Sequence, residues 1–289
     1  MNRFAEAVTS IFGGKKKKPP ARGLGGVEKL TLLGVKLTRD DEGTVTDADL
    51  RGSQATDDDM VHLQGLSGLV RLVLRGSQIT DAGLVHVRGL TSIKRMSLPR
   101  GIRDEGMAHL EGLVNLKTLK ADDAIILDDA LVHLQGLEKL QRLTLRNVPI
   151  TNAGIDHLRK IKNLHRLELQ RAKIDDDGIA VLARMRQLDH LCLAGCKITD
   201  VGLQHVKHMT HLRLLDLDSC PITDAGMDSL KELSTLHVLG LKKTSITDEG
   251  IAQLKWLVHL EKLYLAGTKV TAEGARQLEE TLPGLTVER

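Results

Sequence analysis

ITDAGL, residues 79–84, returns as ITDVGL at 198–203, ITDAGM at 222–227 and ITDEGI at 246–251. Looser copies read ATDDDM from 55, IRDEGM from 102, ILDDAL from 126, ITNAGI from 150, IDDDGI from 174 and VTAEGA from 270. The spacing is 24 residues throughout, apart from a single step of 23 between 79 and 102. A catalytic motif is needed once, whereas a segment returning at a fixed interval is architecture. Each position in the phrase has a local use. Thr80 is a good helix N-cap, its hydroxyl accepting from a free backbone N–H of the first turn. Asp81 suits the positive end of the helix dipole. Gly83 lets the backbone approach its neighbour, and Leu84 with Val87 forms an apolar stripe. The hexamer is therefore read as a helix-start signal.

Between the hexamers runs L-x-x-L-x-L: LVRLVL at 69–74, LQRLTL at 140–145, LHRLEL at 164–169, LDHLCL at 188–193, LRLLDL at 212–217, LHVLGL at 236–241 and LEKLYL at 260–265. IKRMSL at 93–98 and LKTLKA at 116–121 are imperfect copies. Apolar residues at period two predict a short strand with one buried face. One strand and one helix in 24 residues cannot bury that face alone, but stacked copies share one continuous core.

The combined unit resembles the leucine-rich repeat family over residues 45–289, and within it the cysteine-containing and ribonuclease-inhibitor-like variants and the TDAGL arrays of bacterial proteins. The resemblance implies an α/β solenoid, a horseshoe with an inner parallel sheet and short outer helices. It also implies a scaffold for protein–protein interaction, with no enzymatic role and no cofactor. The family's Asn/Cys ladder position is occupied here by Ser53, Ser77, Gly101, Ala124, Val148, Ala172, Cys196, Cys220, Thr244 and Thr268. Its side-chain hydrogen bonds are thus expected to be partly missing, and residues 101–172 to be less rigid.

The ends read differently. Gly25–Leu33 predicts a helix, VKLT at 35–38 a strand, DDEG at 40–43 a turn and TVTDADL at 44–50 a degenerate repeat strand. Residues 27–50 are accordingly expected to form an N-terminal cap. At the other end AEGARQLEETL predicts a longer helix before a final strand in PGLTVER, giving a C-terminal cap over 271–289 and a complete array. The solenoid is read as a single domain over 27–289, preceded by a flexible basic tail over 1–26. That tail carries +5 of a net charge of +3, which leaves the remainder at −2 and removes any whole-chain argument for nucleic-acid binding. No apolar run approaches the roughly 18 residues of a spanning helix. The basic cluster Lys15–Lys18 follows the short apolar stretch instead of preceding it, unlike a secretory signal. A cytoplasmic location with three reduced cysteines is expected.

Two regions are candidates for function. In the tail, Phe4, Val8, Ile11 and Phe12 fall at helical spacing and would make an amphipathic docking helix for an assembly or, less favourably, a membrane. Outward-facing strand residues form the other region. The row before the central leucine reads Arg71, Arg95, Thr118, Arg142, Arg166, His190, Leu214, Val238 and Lys262, and the row after it includes Lys120, Glu168, Cys192, Asp216 and Tyr264. A further row adds Arg75, Arg146 and Asp218. The N-terminal half of this face should be a basic strip for a protein partner with an acidic surface. Farther along it turns acidic, with Leu214 and Val238 exposed. No aromatic residue interleaves the arginines, which counts against single-stranded nucleic acid. His62, His86, His109, His133, His157 and His205 share one repeat position, yet no carboxylate or cysteine recurs beside them as zinc would require. His205, His208 and His211 do not converge at spacings of three. Cys196 and Cys220 read as ladder residues, and Cys192 lacks the activating partners of a nucleophile. An F-box-like ubiquitin-ligase subunit is the remaining alternative, but residues 1–26 are shorter than the roughly 40 such a module needs.

Overall fold

The structure is a computed structural model and describes residues 25–289. A helix, α1 (Gly26–Leu32), leads into an antiparallel hairpin of β1 (Lys36–Arg39) and β2 (Val45–Asp49). From β2 onward every pairing is parallel: β3 (Arg71–Val73), β4 (Arg95–Ser97), β5 (Thr118–Lys120), β6 (Arg142–Thr144), β7 (Arg166–Glu168), β8 (His190–Cys192), β9 (Leu214–Asp216), β10 (Val238–Gly240), β11 (Lys262–Tyr264) and β12 (Thr286–Glu288). The twelve strands follow sequence order and the sheet stays open, β1 and β12 being its edges. This is the α/β solenoid the repeat predicts.

Each outer segment begins at the hexamer, but several are 3₁₀ turns instead of α-helix. Asp57–Leu63, Asp128–Leu134 and Asp224–Leu230 are 3₁₀, whereas Asn152–Leu158, Asp176–Leu182 and Asp200–Val206 are α-helical. At seven residues or so the two forms differ by little, and i→i+3 bonds close a short segment economically. The inward strand leucines Leu72, Leu119, Leu143, Leu167, Leu191, Leu215, Leu239 and Leu263 are fully buried and belong to one continuous aliphatic core. Trp256 is exposed and Tyr264 half-buried, so no aromatic ring fills that core among the described residues.

After each strand the chain turns through a residue with positive φ. Gly52, Gly76, Gly101, Gly195 and Gly267 have it in five turns, but Asp123, Asn147, Arg171, Ser219 and Lys243 adopt it too, with φ of 56–61°. The sharp turn recurs whatever side chain it carries, so the stacking of the repeats outweighs the local cost of roughly 1 kcal/mol.

The hexamer does more than start a helix. The Asp57 carboxylate accepts from the Thr80 backbone N–H at 2.7 Å and from the Thr80 hydroxyl at 2.5 Å, one repeat farther on. The same pair of bonds joins Asp128 to Thr151, Asp176 to Thr199, Asp200 to Thr223, Asp224 to Thr247 and Asp248 to Thr271. Where the threonine is replaced, the backbone half survives, from Arg103 N–H to Asp81 and from Leu127 N–H to Asp104. At one junction the roles are exchanged: the Asn152 amide donates to the Asp175 carboxylate at 2.5 Å. That bond, foremost, holds the Asp175 carboxyl below its ordinary value. Asp81 therefore acts chiefly across the repeat boundary and not, as expected, on its own helix.

The glycine of the hexamer makes room for this clamp. A Cβ on Gly83 would stand 2.5 Å from Asp57 Oδ1, and one on Gly250 only 2.1 Å from Asp224 Oδ1. At the first hexamer the threonine finds its acceptor locally instead, both the N–H and the hydroxyl of Thr56 donating to Asp59 at 2.9 Å. Ala272 stands where the last hexamer would carry its aspartate.

The ladder position is mixed, as its residues imply. Ser53, Ser77, Thr244 and Thr268 donate to the carbonyl three residues earlier, at 2.7–2.9 Å. Cys196 and Cys220 instead reach back a repeat, to the carbonyls of Leu169 and Leu193 at 3.3 Å. Between residues 101 and 172, where the ladder offers no polar side chain, other cross-repeat bonds appear. The Arg146 N–H donates to Asp122 at 3.2 Å and the Asn147 amide to Asp123 at 2.8 Å.

Candidate binding surface

Parallel pairing in register sets equivalent outward residues side by side, about 4.8 Å apart. Asp47, Arg71, Arg95, Thr118, Arg142, Arg166 and His190 succeed one another along one row. Asp49, Val73, Ser97, Lys120, Thr144 and Glu168 form the next. Arg71, Arg95, Lys120 and Arg142 are exposed.

The strip is not uniform. Arg71, Arg75, Arg95, Lys120 and Arg142 converge on one hollow of about 400 Å³. They are joined by Arg51, which sequence reading missed because its strand looked degenerate; extending the register one strand back to β2 would have found it. Three of these cations are matched by carboxylates. Arg71 lies 3.6 Å from Asp47, Arg75 lies 3.6 Å from Asp122, and Arg51 lies 2.5 Å from Asp49. The Arg51 guanidinium holds the Asp49 carboxyl below its usual value. Arg95, Lys120 and Arg142 have no ion-pair partner among the described residues. The Ser97 hydroxyl, on the floor between Val73 and Lys120, is buried without a hydrogen-bond partner among the described residues.

The remaining expected residues stand apart from this hollow. Arg146 pairs with Glu168, its Nε donating at 2.9 Å, and borders a separate groove of about 460 Å³ with Gln170 and Ser219. Arg166 is half-buried beside His165 and Asp189. Asp216 and Tyr264 lie toward the other end, where the Lys242 ammonium sits 4.4 Å from the Tyr264 ring centroid. Leu214 and Val238 are half-buried there, not fully exposed as their positions suggested, because the close-set strands shield them. Phe4, Val8, Ile11 and Phe12 lie outside the described residues.

Burial pushes the Asp216 carboxyl above its ordinary value and Glu168 adds to the effect, against the Asp218 N–H and Lys242. A folded-state value above the unfolded one means that the folded protein holds this proton more readily. Ionised Asp216 therefore costs stability at neutral pH, and the cost fades as pH falls through its folded value. Asp216→Asn keeps an oxygen for the Asp218 N–H, which now donates at 3.0 Å. It is expected to raise stability by on the order of 1 kcal/mol at pH 7 and to lose that advantage near pH 3, as urea midpoints at the two pH values would show.

The cysteines and histidines are accounted for structurally. Burial drives the Cys192 and Cys220 thiols up to about 12 and Cys196 up to about 11, values that leave no thiolate for attack at neutral pH. The repeated histidines form a second ladder between outer segments. Gln64 meets His86 at 2.9 Å, Arg88 meets His109 at 2.8 Å, Glu111 meets His133 at 2.5 Å and Gln135 meets His157 at 3.0 Å. His205, His208 and His211 are exposed. Among the described residues no three His, Cys, Asp or Glu side chains gather as a metal-ligand group, and no helix is long and apolar enough to cross a membrane.

Stacked 24-residue units of strand, turn and short outer helix, with leucines at the inward positions, give this chain the leucine-rich repeat fold. The leucine-rich repeat family profile matches residues 160–183 and 208–231. Among solved structures the chain is similar to an internalin (inlF) of Listeria monocytogenes, at 22% identity and a TM-score of 0.59, covering 79% of this chain and 69% of that one. It is also similar to an internalin C2 (inlC2) of the same organism, at 25% identity and a TM-score of 0.55, covering 72% of this chain and 82% of that one. No curated protein matches significantly.

Proposed function

We propose that the chain is a non-enzymatic scaffold that binds a protein with an acidic surface through the N-terminal half of its sheet face. What supports this most is the run of cations without an ion-pair partner among the described residues, Arg95, Lys120 and Arg142, held in register on a face from which solenoids generally bind. Like charges on adjacent strands are unfavourable in the free protein, and an acidic partner offsets that repulsion. Charge reversal at Arg71, Arg95 and Arg142 is expected to release partners captured from native lysate and to weaken their binding at least ~30-fold at low salt. Capture that survives this reversal at low salt would sink the reading.

A second reading rests on the tail, which carries both phenylalanines of the chain. Phe4, Val8, Ile11 and Phe12 would dock the protein on an assembly while the solenoid presents its cargo. Partners lost with a Phe4→Ala/Phe12→Ala variant, but kept by the arginine reversal, would favour this tethering role.

A further inference from the structure

Three features of the hollow between β2 and β6 go beyond a generally basic surface. The first is its size. At about 400 Å³ it holds one compact molecule and is far smaller than a protein footprint. The second is its residual charge. Arg51, Arg71 and Arg75 are each matched by a carboxylate, which offsets their charge and leaves Arg95, Lys120 and Arg142 as net positive charges around the rim among the described residues. The third is the Ser97 hydroxyl, buried in the floor with no partner among the described residues. A surface that merely repels or attracts at a distance has no use for an orphaned donor beneath the charges. A ligand oxygen would use it once the side chains covering it move aside.

We propose that this hollow is a binding site for a small soluble polyanion bearing two or three phosphoryl groups. Each phosphoryl group offers terminal oxygens in several directions, which suits donors converging from four strands. Arginine forks pair well with such oxygens, and lysine contributes a point charge. The Val73 side chain lies beside the Ser97 hydroxyl on the outward face, and next to such an apolar neighbour a bond to a charged oxygen is strong. The site shares its arginines with the protein-binding face but does not depend on that reading.

The test is calorimetric titration of the full-length protein with tripolyphosphate at low salt, beside citrate as a carboxylate control. Tripolyphosphate is expected to bind in the range of about 10 µM, and citrate at least ~10-fold more weakly. Arg95→Ala combined with Arg142→Ala is expected to weaken tripolyphosphate about 30-fold or more, while Lys15–Lys18 of the tail are unchanged in every variant. Lys262→Ala, on the same row but far outside the hollow, is expected to change affinity less than ~2-fold. Ser97→Ala separates a built site from surface charge. It is expected to weaken binding about 3- to 10-fold, yet to raise the melting temperature of the ligand-free protein by removing an unpaired buried hydroxyl. No measurable tripolyphosphate binding, equal binding of citrate, or full affinity in Ser97→Ala would each overturn the proposal. Tripolyphosphate that fails to bind, in a protein whose partner is still released by arginine reversal, would remove this site alone. The opposite pair of results would remove only the protein-binding reading.

Discussion

Gly250→Ala is expected to destabilise the protein by about 2–3 kcal/mol, although alanine is the better helix former by about 1 kcal/mol. The new Cβ would stand 2.1 Å from Asp224 Oδ1, so the carboxylate must withdraw. Withdrawal weakens both bonds that Asp224 accepts from Thr247, at 2.8 Å from the N–H and 2.6 Å from the hydroxyl, and strands a half-buried backbone donor. One repeat already carries alanine at this position. That is Ala130, and there the clamp keeps the backbone bond from Leu127 N–H to Asp104 and lacks the second bond because Leu127 has no hydroxyl. A double-mutant cycle isolates the cause. With Asp224→Ala already in place, Gly250→Ala should be close to neutral, because the group it displaces is gone. Urea midpoints of the four proteins measure the coupling, and an additive cycle would mean that the glycine serves some other purpose.

The second large effect is expected at the core. Leu167, the central leucine of β7, is fully buried between Leu143 and Leu191 in register. Leu167→Ala is expected to cost about 3–4 kcal/mol, and Leu167→Met less than about 1.5 kcal/mol. The spatial pattern matters as much as the size. Each repeat rests only on its neighbours, so the cavity weakens the junctions on either side of β7 first. Hydrogen exchange should show amides of β6 to β8 losing protection while those of β3 and β11 keep theirs. Uniform loss along the chain would mean that the whole array opens as one unit.

The solenoid was legible in the sequence because both of its periods are internal to one repeat. Alternating leucines name the inward positions of a strand, and Thr80 before an apolar stripe names a helix start. What was not legible lies between repeats. The reach of Asp57 to Thr80 spans 23 residues, and nothing in ITDAGL alone shows that its aspartate belongs to the following copy. The exchange of Asn152 and Asp175 at one junction was the available sign, since two facing carboxylates there would repel. The charged rows were read correctly as rows, but their balance was not. Arg75 and Asp122 pair across two repeats, over the intervening β4, and the orphaned hydroxyl of Ser97 depends on what its neighbours fail to offer. The half-burial of Leu214 and Val238 likewise follows from how closely neighbouring strands shield one another.

The clamp also bears on how such a chain can change length. Apart from the first hexamer, where Thr56 bonds locally to Asp59, and the junction where Asn152 and Asp175 exchange roles, each clamp runs forward from an aspartate to the next hexamer, so a segment cut from one hexamer to the next has a plug at one end and a socket at the other. Tandem duplication of that segment joins like to like at each new seam, and excision closes the gap with the same fit. Slack is confined to the stretch between strand and hexamer, where residues 95–102 have lost one position without breaking the Asp81–Arg103 link. Copy number can thus drift by recombination while every seam stays intact, leaving the outward rows free to diverge from one copy to the next.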